Sequence, residues 1–236
     1  MRAVILQPSY IPWRGYFHLI QRADVFVFYD DVQYDKHGWR NRNRIKTQHG
    51  SQWLTIPVAA RGNVTEGLRL CDVQMLWQQN WAKKHWASVA QAYAKAPHFR
   101  EYEPLLANLY RFEPTTRPAN LVDYTIATTQ HLAAILGITH TRFVRSSELN
   151  TSGEKTDRLI AILKAIDADH YISGPSARRY IDAKRFADAN IKLEYVEYNY
   201  AEYTQLHPPF DGQVSILDLL FHLGNRAADH IWGPLA

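Results

Sequence analysis

Two short apolar runs joined by a loop and a helically periodic segment occupy the first thirty residues, and they restrict the architecture more than any other part of the chain. Residues 3–7 are apolar until Pro8 ends the run. A polar, proline-containing stretch follows at 9–15, and residues 16–22 then repeat apolar positions with helical spacing. Asp24-Val25-Phe26-Val27-Phe28-Tyr29 is β-branched and aromatic and stops at Asp30-Asp31. A strand without polar alternation is one buried on both faces, as in parallel sheets covered by helices. Strand, loop, helix and strand in that order make a βαβ unit, so a parallel α/β sheet is predicted. Ligands of such sheets bind beyond the carboxyl ends of the strands, where residues 7–15 and 30–33 lie.

The last hundred residues repeat the rhythm. Strands are expected at 141–145, 170–173 and 192–198, alternating with helices at 155–166 and 180–189. The middle reads differently: a strand at 52–58, a shorter one near 72–74, then helices at 77–94, 105–109 and 121–136, the last closed by Gly137. Trp77, Trp81 and His85 share one helical face, a spacing that reads as core packing. The expectation is a single α/β domain over 1–236, Rossmann-like, its sheet built from both ends of the chain, with a mainly helical insertion at about 75–137.

Charge narrows the function classes. The net charge is +4, yet Lys36, Arg40, Arg42, Arg44 and Lys46 stand in one acid-free segment, and without them 22 basic residues face 23 acidic ones. A nucleic-acid coat is disfavoured, and one local anion site is the better expectation. Apolar runs reach about five residues where a membrane span needs about 20. The start of the chain does not read as a signal peptide, and the single cysteine, Cys71, excludes an internal disulfide. A cytoplasmic protein is expected.

Three constellations stand out. In Gln7-Pro8-Ser9-Tyr10-Ile11-Pro12-Trp13-Arg14-Gly15-Tyr16-Phe17, two prolines stiffen a loop leaving the first strand, and Gly15 permits close backbone approach. Gln7, Arg14 and the rings of Tyr10, Trp13 and Tyr16 are candidates to hold a nucleotide's phosphates, base or sugar. In Trp39-Arg40-Asn41-Arg42-Asn43-Arg44-Ile45-Lys46, an extended chain places the basic residues on one face and Trp39, Asn41, Asn43 and Ile45 on the other. A helix instead pairs Arg40 with Arg44. Either form offers guanidinium forks to phosphate or carboxylate, making Arg40, Asn41, Arg42 and Arg44 candidate binding residues. The third is the strand, turn and helix start around Gly174 and Ser176. Asp30, with Asp31 and Asp35, is placed to hold Mg²⁺ beside a nucleotide or to take a proton, and His18 is the nearest imidazole.

On these residues, together with Trp53-Leu54-Thr55-Ile56-Pro57-Val58, Tyr171-Ile172-Ser173-Gly174 and Ser215-Ile216-Leu217-Asp218-Leu219-Leu220, the chain resembles the WbqC-like family of bacterial proteins, whose members are associated with surface-polysaccharide and modified-sugar biosynthesis. A weaker, fold-level similarity is to pantothenate synthetases and nucleotidylyltransferases. Those enzymes flank their signature glycine with histidines, whereas Trp13-Arg14-Gly15-Tyr16 has none.

The resemblance implies a pathway, surface-polysaccharide or modified-sugar biosynthesis, and the reaction expected within it is that of a transferase or amide-forming ligase that attaches a small acyl or aminoacyl group to a nucleotide-linked amino sugar. His18 and Asp30 would serve as its catalytic residues. A nucleotide-linked sugar or another phosphorylated small molecule is the expected partner. The cofactor is left open, with ATP and Mg²⁺ as the candidate. A non-catalytic nucleotide or nucleic-acid binding module and a nucleotidylyltransferase are the competing readings.

Overall fold

The fully apolar second strand finds its explanation in a sheet covered on both sides. In the computed structural model, which describes residues 1–59 and 67–233, five parallel strands pair in one sheet. They are β1 (Arg2–Leu6), β2 (Val25–Phe28), β7 (Arg142–Arg145), β8 (His170–Ser173) and β9 (Lys192–Tyr195), in the order β7-β2-β1-β8-β9. Side chains alternate between two cores. Val4, Phe26 and Phe28 pack on one face with α1 (Arg14–Arg22). Ala3, Ile5, Val25 and Val27 pack on the other with α5 (Lys155–Ala165) and α6 (Ala183–Asp188).

Between β2 and β7 in sequence come a hairpin, β3 (Arg42–Thr47) with β4 (Gly50–Thr55), and a two-residue pair, β5 (Val58–Ala59) with β6 (Gln74–Met75). A mainly helical segment follows, with α2 (Trp81–Tyr93), α3 (Phe99–Ala107) and α4 (Leu121–Ile135). The chain then ends in α7 (Ile216–Leu223) and α8 (Asp229–Trp232).

Several boundaries differ from the sequence expectation for local reasons. The strand expected at 52–58 is interrupted at Ile56-Pro57, since proline has no amide to give a ladder. The helix expected from Trp77 is a short 3₁₀ turn, Trp77–Gln79. Asn80 at φ 51° turns the chain before α2 begins. The Trp77, Trp81 and His85 rings still contact one another in sequence, tilted and then edge-on, at 4.9 and 5.3 Å between centroids. Gly137 ends α4 at φ 78°, a conformation that glycine adopts freely.

Among the strands, β1 and β8 are where the order reverses, the first strand of the chain lying beside the fourth. Their paired register covers only Arg2 and Ala3, whereas β1 pairs with β2 through Leu6. Toward their carboxyl ends β1 and β8 are no longer paired with each other, and a crevice opens there, the position at which doubly wound sheets bind ligands. Among the described residues, no helix is long and apolar enough to cross a membrane.

Candidate functional site

A cavity of about 500 Å³ fills this crevice. Ile5 and Leu6 of β1 and Leu19 of α1 supply apolar lining. Trp13 and Tyr16 come from the first loop and helix, and Ser173, Gly174, Pro175, Ser176 and Ala177 from the turn after β8. Arg40 and Asn43 enter from the hairpin side, with Ser9, Pro12, Trp39, Tyr180, Tyr198 and Gln213 completing the lining.

The loop after β1 is held in place by the hairpin. The Asn43 side-chain amide donates to the carbonyls of Tyr10 (3.0 Å) and Ile11 (2.8 Å), and the Tyr10 amide donates to the Trp39 carbonyl. Ile11 sits at φ 35°, which a β-branched residue rarely adopts, and the two Asn43 bonds clasp the carbonyls on either side of its amide and Cα. From α7, the Ile216 amide reaches the Pro12 carbonyl at 2.8 Å. Gly15 is needed because the Trp13 indole lies flat against it. A methyl there would come within 2.3 Å of the ring. Trp13 in turn meets Tyr198 edge-on at 5.1 Å, and the Tyr198 hydroxyl closes on Gly174, 3.0 Å from where a Cβ would stand.

Arg40 is the cation of the cavity. Its Nη1 donates to the Gln7 and Pro8 carbonyls at 3.1 and 3.4 Å, and the Tyr16 hydroxyl donates to the same Gln7 carbonyl at 3.1 Å. Its Nε is buried without a protein partner, and among the described residues no carboxylate lies within ion-pair distance. Burial lowers the Arg40 pKa from its ordinary value, although the guanidinium remains charged at any physiological pH. The lining contains no carboxylate and no imidazole among the described residues, so its field is that of Arg40.

Of the residues singled out from the sequence, Trp13, Tyr16, Arg40, Gly174 and Ser176 border the cavity, Gly15 backs Trp13, and the Gln7 carbonyl anchors Arg40 and Tyr16. The others are elsewhere. Tyr10 is fully buried, its hydroxyl bridging His85 Nδ1 at 2.9 Å and Tyr110 at 3.1 Å, so its face is closed to a ligand. Arg14 turns away, donating to the Ala201 carbonyl at 2.9 Å with its guanidinium 4.5 Å from the Tyr200 ring centre. Asn41 is buried and donates to the Ile56 carbonyl. Arg42 and Arg44 do not line the cavity: Arg42 lies over Trp53, and Arg44 over Trp53 and the lining residue Trp39.

The two expected catalytic residues are also outside. His18 faces the other way along α1 and pairs through Nδ1 with the Tyr200 hydroxyl at 2.9 Å; burial, then Arg22, lowers its pKa. Asp30 is 0% exposed and accepts from Arg145 Nε (2.7 Å), the Ser147 amide (2.9 Å) and Ser147 Oγ (2.9 Å). It ties β2 to the chain after β7 and is not a free proton acceptor. Asp31 is held by Arg158 and by Ser146 Oγ at 2.6 Å, and Asp35 caps the His37 amide, so the three acids do not converge on a cation. Among the described residues, no cluster of three or more His, Cys, Asp or Glu side chains is arranged to hold a metal ion.

Sequence reasoning missed Tyr198 and Gln213. Tyr198-x-Tyr200 beside a strand end is a faint signal, while Gln213 has none, since only the fold of the last forty residues brings it to the hairpin.

Compared with known proteins, residues 7–230 match the profile of the WbqC-like protein family. Over 231 residues the chain is 40% identical to the uncharacterized protein Rv1507c of Mycobacterium tuberculosis, an alignment covering 98% of this chain and 97% of that protein. No solved structure matches significantly.

Proposed function

The chain belongs to the WbqC-like protein family, and from that premise we propose that the switch-point cavity binds a nucleotide-linked sugar or a related phosphorylated small molecule for acyl or aminoacyl transfer to a sugar amine. The observation that carries the reading is Arg40. It is a cation in a cavity lined by no acid among the described residues. A phosphate oxygen answers that charge, because a charge-assisted bond to guanidinium is among the strongest that a protein can offer. The apolar and aromatic lining from Ile5, Leu6, Trp13 and Tyr16 suits the less polar face of a sugar or base.

In the reaction, the amine nitrogen attacks the acyl carbonyl carbon. The C–N bond forms as the bond to the donor's leaving group breaks, and the amine proton departs with that group. The protein's part in this reading is to orient the sugar and offset phosphate charge, with Arg40 as the binding residue. His18 and Asp30 take no part, since neither borders the cavity.

Calorimetric titration with UDP, UDP-glucose and dTDP-glucose tests the binding. Arg40→Ala is expected to weaken the ligand that binds by tenfold or more, about 1.5–3 kcal/mol for a hydrogen bond to a charged group. Equal affinity of wild type and variant would remove the cavity from this role.

A further inference from the structure

The large exposed apolar side chains of the described residues are Met1, Trp39, Trp53, Leu105 and Tyr180, and three of these five gather at one place. Trp39 (41% exposed) and Tyr180 (67% exposed) line the cavity. Trp53 (43% exposed) packs on Trp39 with ring centroids 5.1 Å apart. On this aromatic pair rest two guanidinium groups. Arg42 lies 4.5 Å from the Trp53 ring centre, and Arg44 lies 5.6 and 5.5 Å from Trp39 and Trp53.

The register of the hairpin explains the arrangement, since Arg44 stands directly opposite Trp53 in the antiparallel ladder and Arg42 one pleat away on the same face. Each arginine spends only Nη2 on the protein, Arg42 on the His37 carbonyl and Arg44 on the carbonyl and side chain of Gln213. No carboxylate lies within ion-pair distance of either among the described residues. Asp211, held by Ser51, is the nearby acid on the Arg44 side and faces Lys46 as well.

We propose that the outer face of the β3–β4 hairpin is a second anion subsite, in which Arg42 and Arg44, oriented by Trp39 and Trp53, take a phosphate or carboxylate that projects from the cavity on the distal end of an elongated ligand. The proposal rests on the cavity being the primary binding site, because Trp39 is the residue common to both. The geometry favours an anion over a stacked base. The two indoles touch each other, leaving no slot between them for a base, and what the patch presents is fixed guanidinium edges.

Two ligand pairs that differ by one distal anionic group provide the test: UDP-glucose with UDP-glucuronic acid for a carboxylate, and dephospho-coenzyme A with coenzyme A for a phosphate. Wild type is expected to bind the more anionic member of at least one pair about fivefold or more tighter. In the variant carrying R42Q and R44Q, which keeps the side-chain stems on the tryptophans, that preference falls to near unity while the less anionic member binds as before. Trp53→Phe, a milder change outside the cavity, should lose the fluorescence response that the extra group produces. Binding of a pair with no preference in wild type, or a preference kept in the glutamine variant, overturns the second subsite and leaves the cavity standing. Binding of no member to wild type overturns both. Tight binding of single-stranded oligonucleotides, lost in the glutamine variant, would reassign the face to nucleic acid.

Discussion

Gly15→Ala separates the structural from the ligand-binding role of the first loop. Gly15 lies in the first turn of α1, so alanine by itself should strengthen the helix by about 1 kcal/mol. The added methyl, however, would stand 2.3 Å from Trp13 Cζ2 and 2.7 Å from Cε2 and Cη2, too close for any contact to survive unchanged. The ring is the free end of a side chain and is only half-buried, so it swings while the backbone stays. Overpacking of this kind costs about 1–3 kcal/mol, which leaves a net destabilisation of about 0–2 kcal/mol. At about 2–4 °C per kcal/mol for a chain of this size, Tm falls by less than about 8 °C.

Binding should suffer more than folding. Trp13 makes edge contacts with Tyr198 at 5.1 Å and Tyr200 at 6.0 Å and forms part of the cavity wall. Losing both ring contacts, worth about 0.5–1.5 kcal/mol each, predicts a roughly 5- to 150-fold weaker affinity for the ligand found by titration. Differential scanning fluorimetry and calorimetry on the same preparation measure both quantities. A variant that binds as tightly as wild type, with unchanged tryptophan emission, would refute the placement of Trp13 against Gly15. One that fails to fold would refute the claim that the ring can yield.

Three further outcomes follow from buried polar groups. Asp218 is completely buried and accepts from Tyr203 (2.7 Å), Gln205 (2.9 Å) and Tyr93 (2.9 Å). Asp218→Asn replaces an acceptor with a donor among these donors, and urea unfolding should show a loss of about 2–5 kcal/mol. His85 is buried and its pKa is lowered to about 4, so the unfolded chain takes up a proton first as pH falls; its contribution to stability is whole above about pH 6.5 and should decline by about 3 kcal/mol by pH 4. Denaturation of wild type and His85→Gln across that range should show their difference changing by that amount, and a pH-independent difference would contradict a neutral buried imidazole. Asn43→Ala frees the Tyr10 and Ile11 carbonyls and should cost about 1–3 kcal/mol, with a cavity affinity loss that Asn41→Ala does not share.

The fold was largely legible because its signals are local. An uninterrupted apolar run such as Val25–Phe28 is stable only between two helical layers, and the return of that rhythm after residue 141 identifies the same sheet resumed. Helices α7 and α8 were not read by pattern. All eight residues of α7 are buried, Asp218 and His222 included, so its polar pair faces the interior and marks no solvent side.

The site divides along the same line. Sequence alone determined that the positive charge is concentrated in one Arg/Asn segment and that the loop after the first strand lies at the carboxyl edge of a parallel sheet, since charge count and the succession of elements are properties of the chain. It left open which arginine turns toward that edge. Tertiary structure decided that Arg40, just before β3, lines the crevice, while Arg42 and Arg44 lie on Trp53 and Trp39 without lining it and Lys46 reaches the Pro209 carbonyl. Period-2 alternation fixes which residues share a face only within a strand, and β3 begins at Arg42. It likewise decided that Asp30 and His18 lie outside the cavity lining, because the groups that hold them, Arg145, Ser147 and Tyr200, stand more than a hundred residues away in sequence and meet them only when the sheet closes.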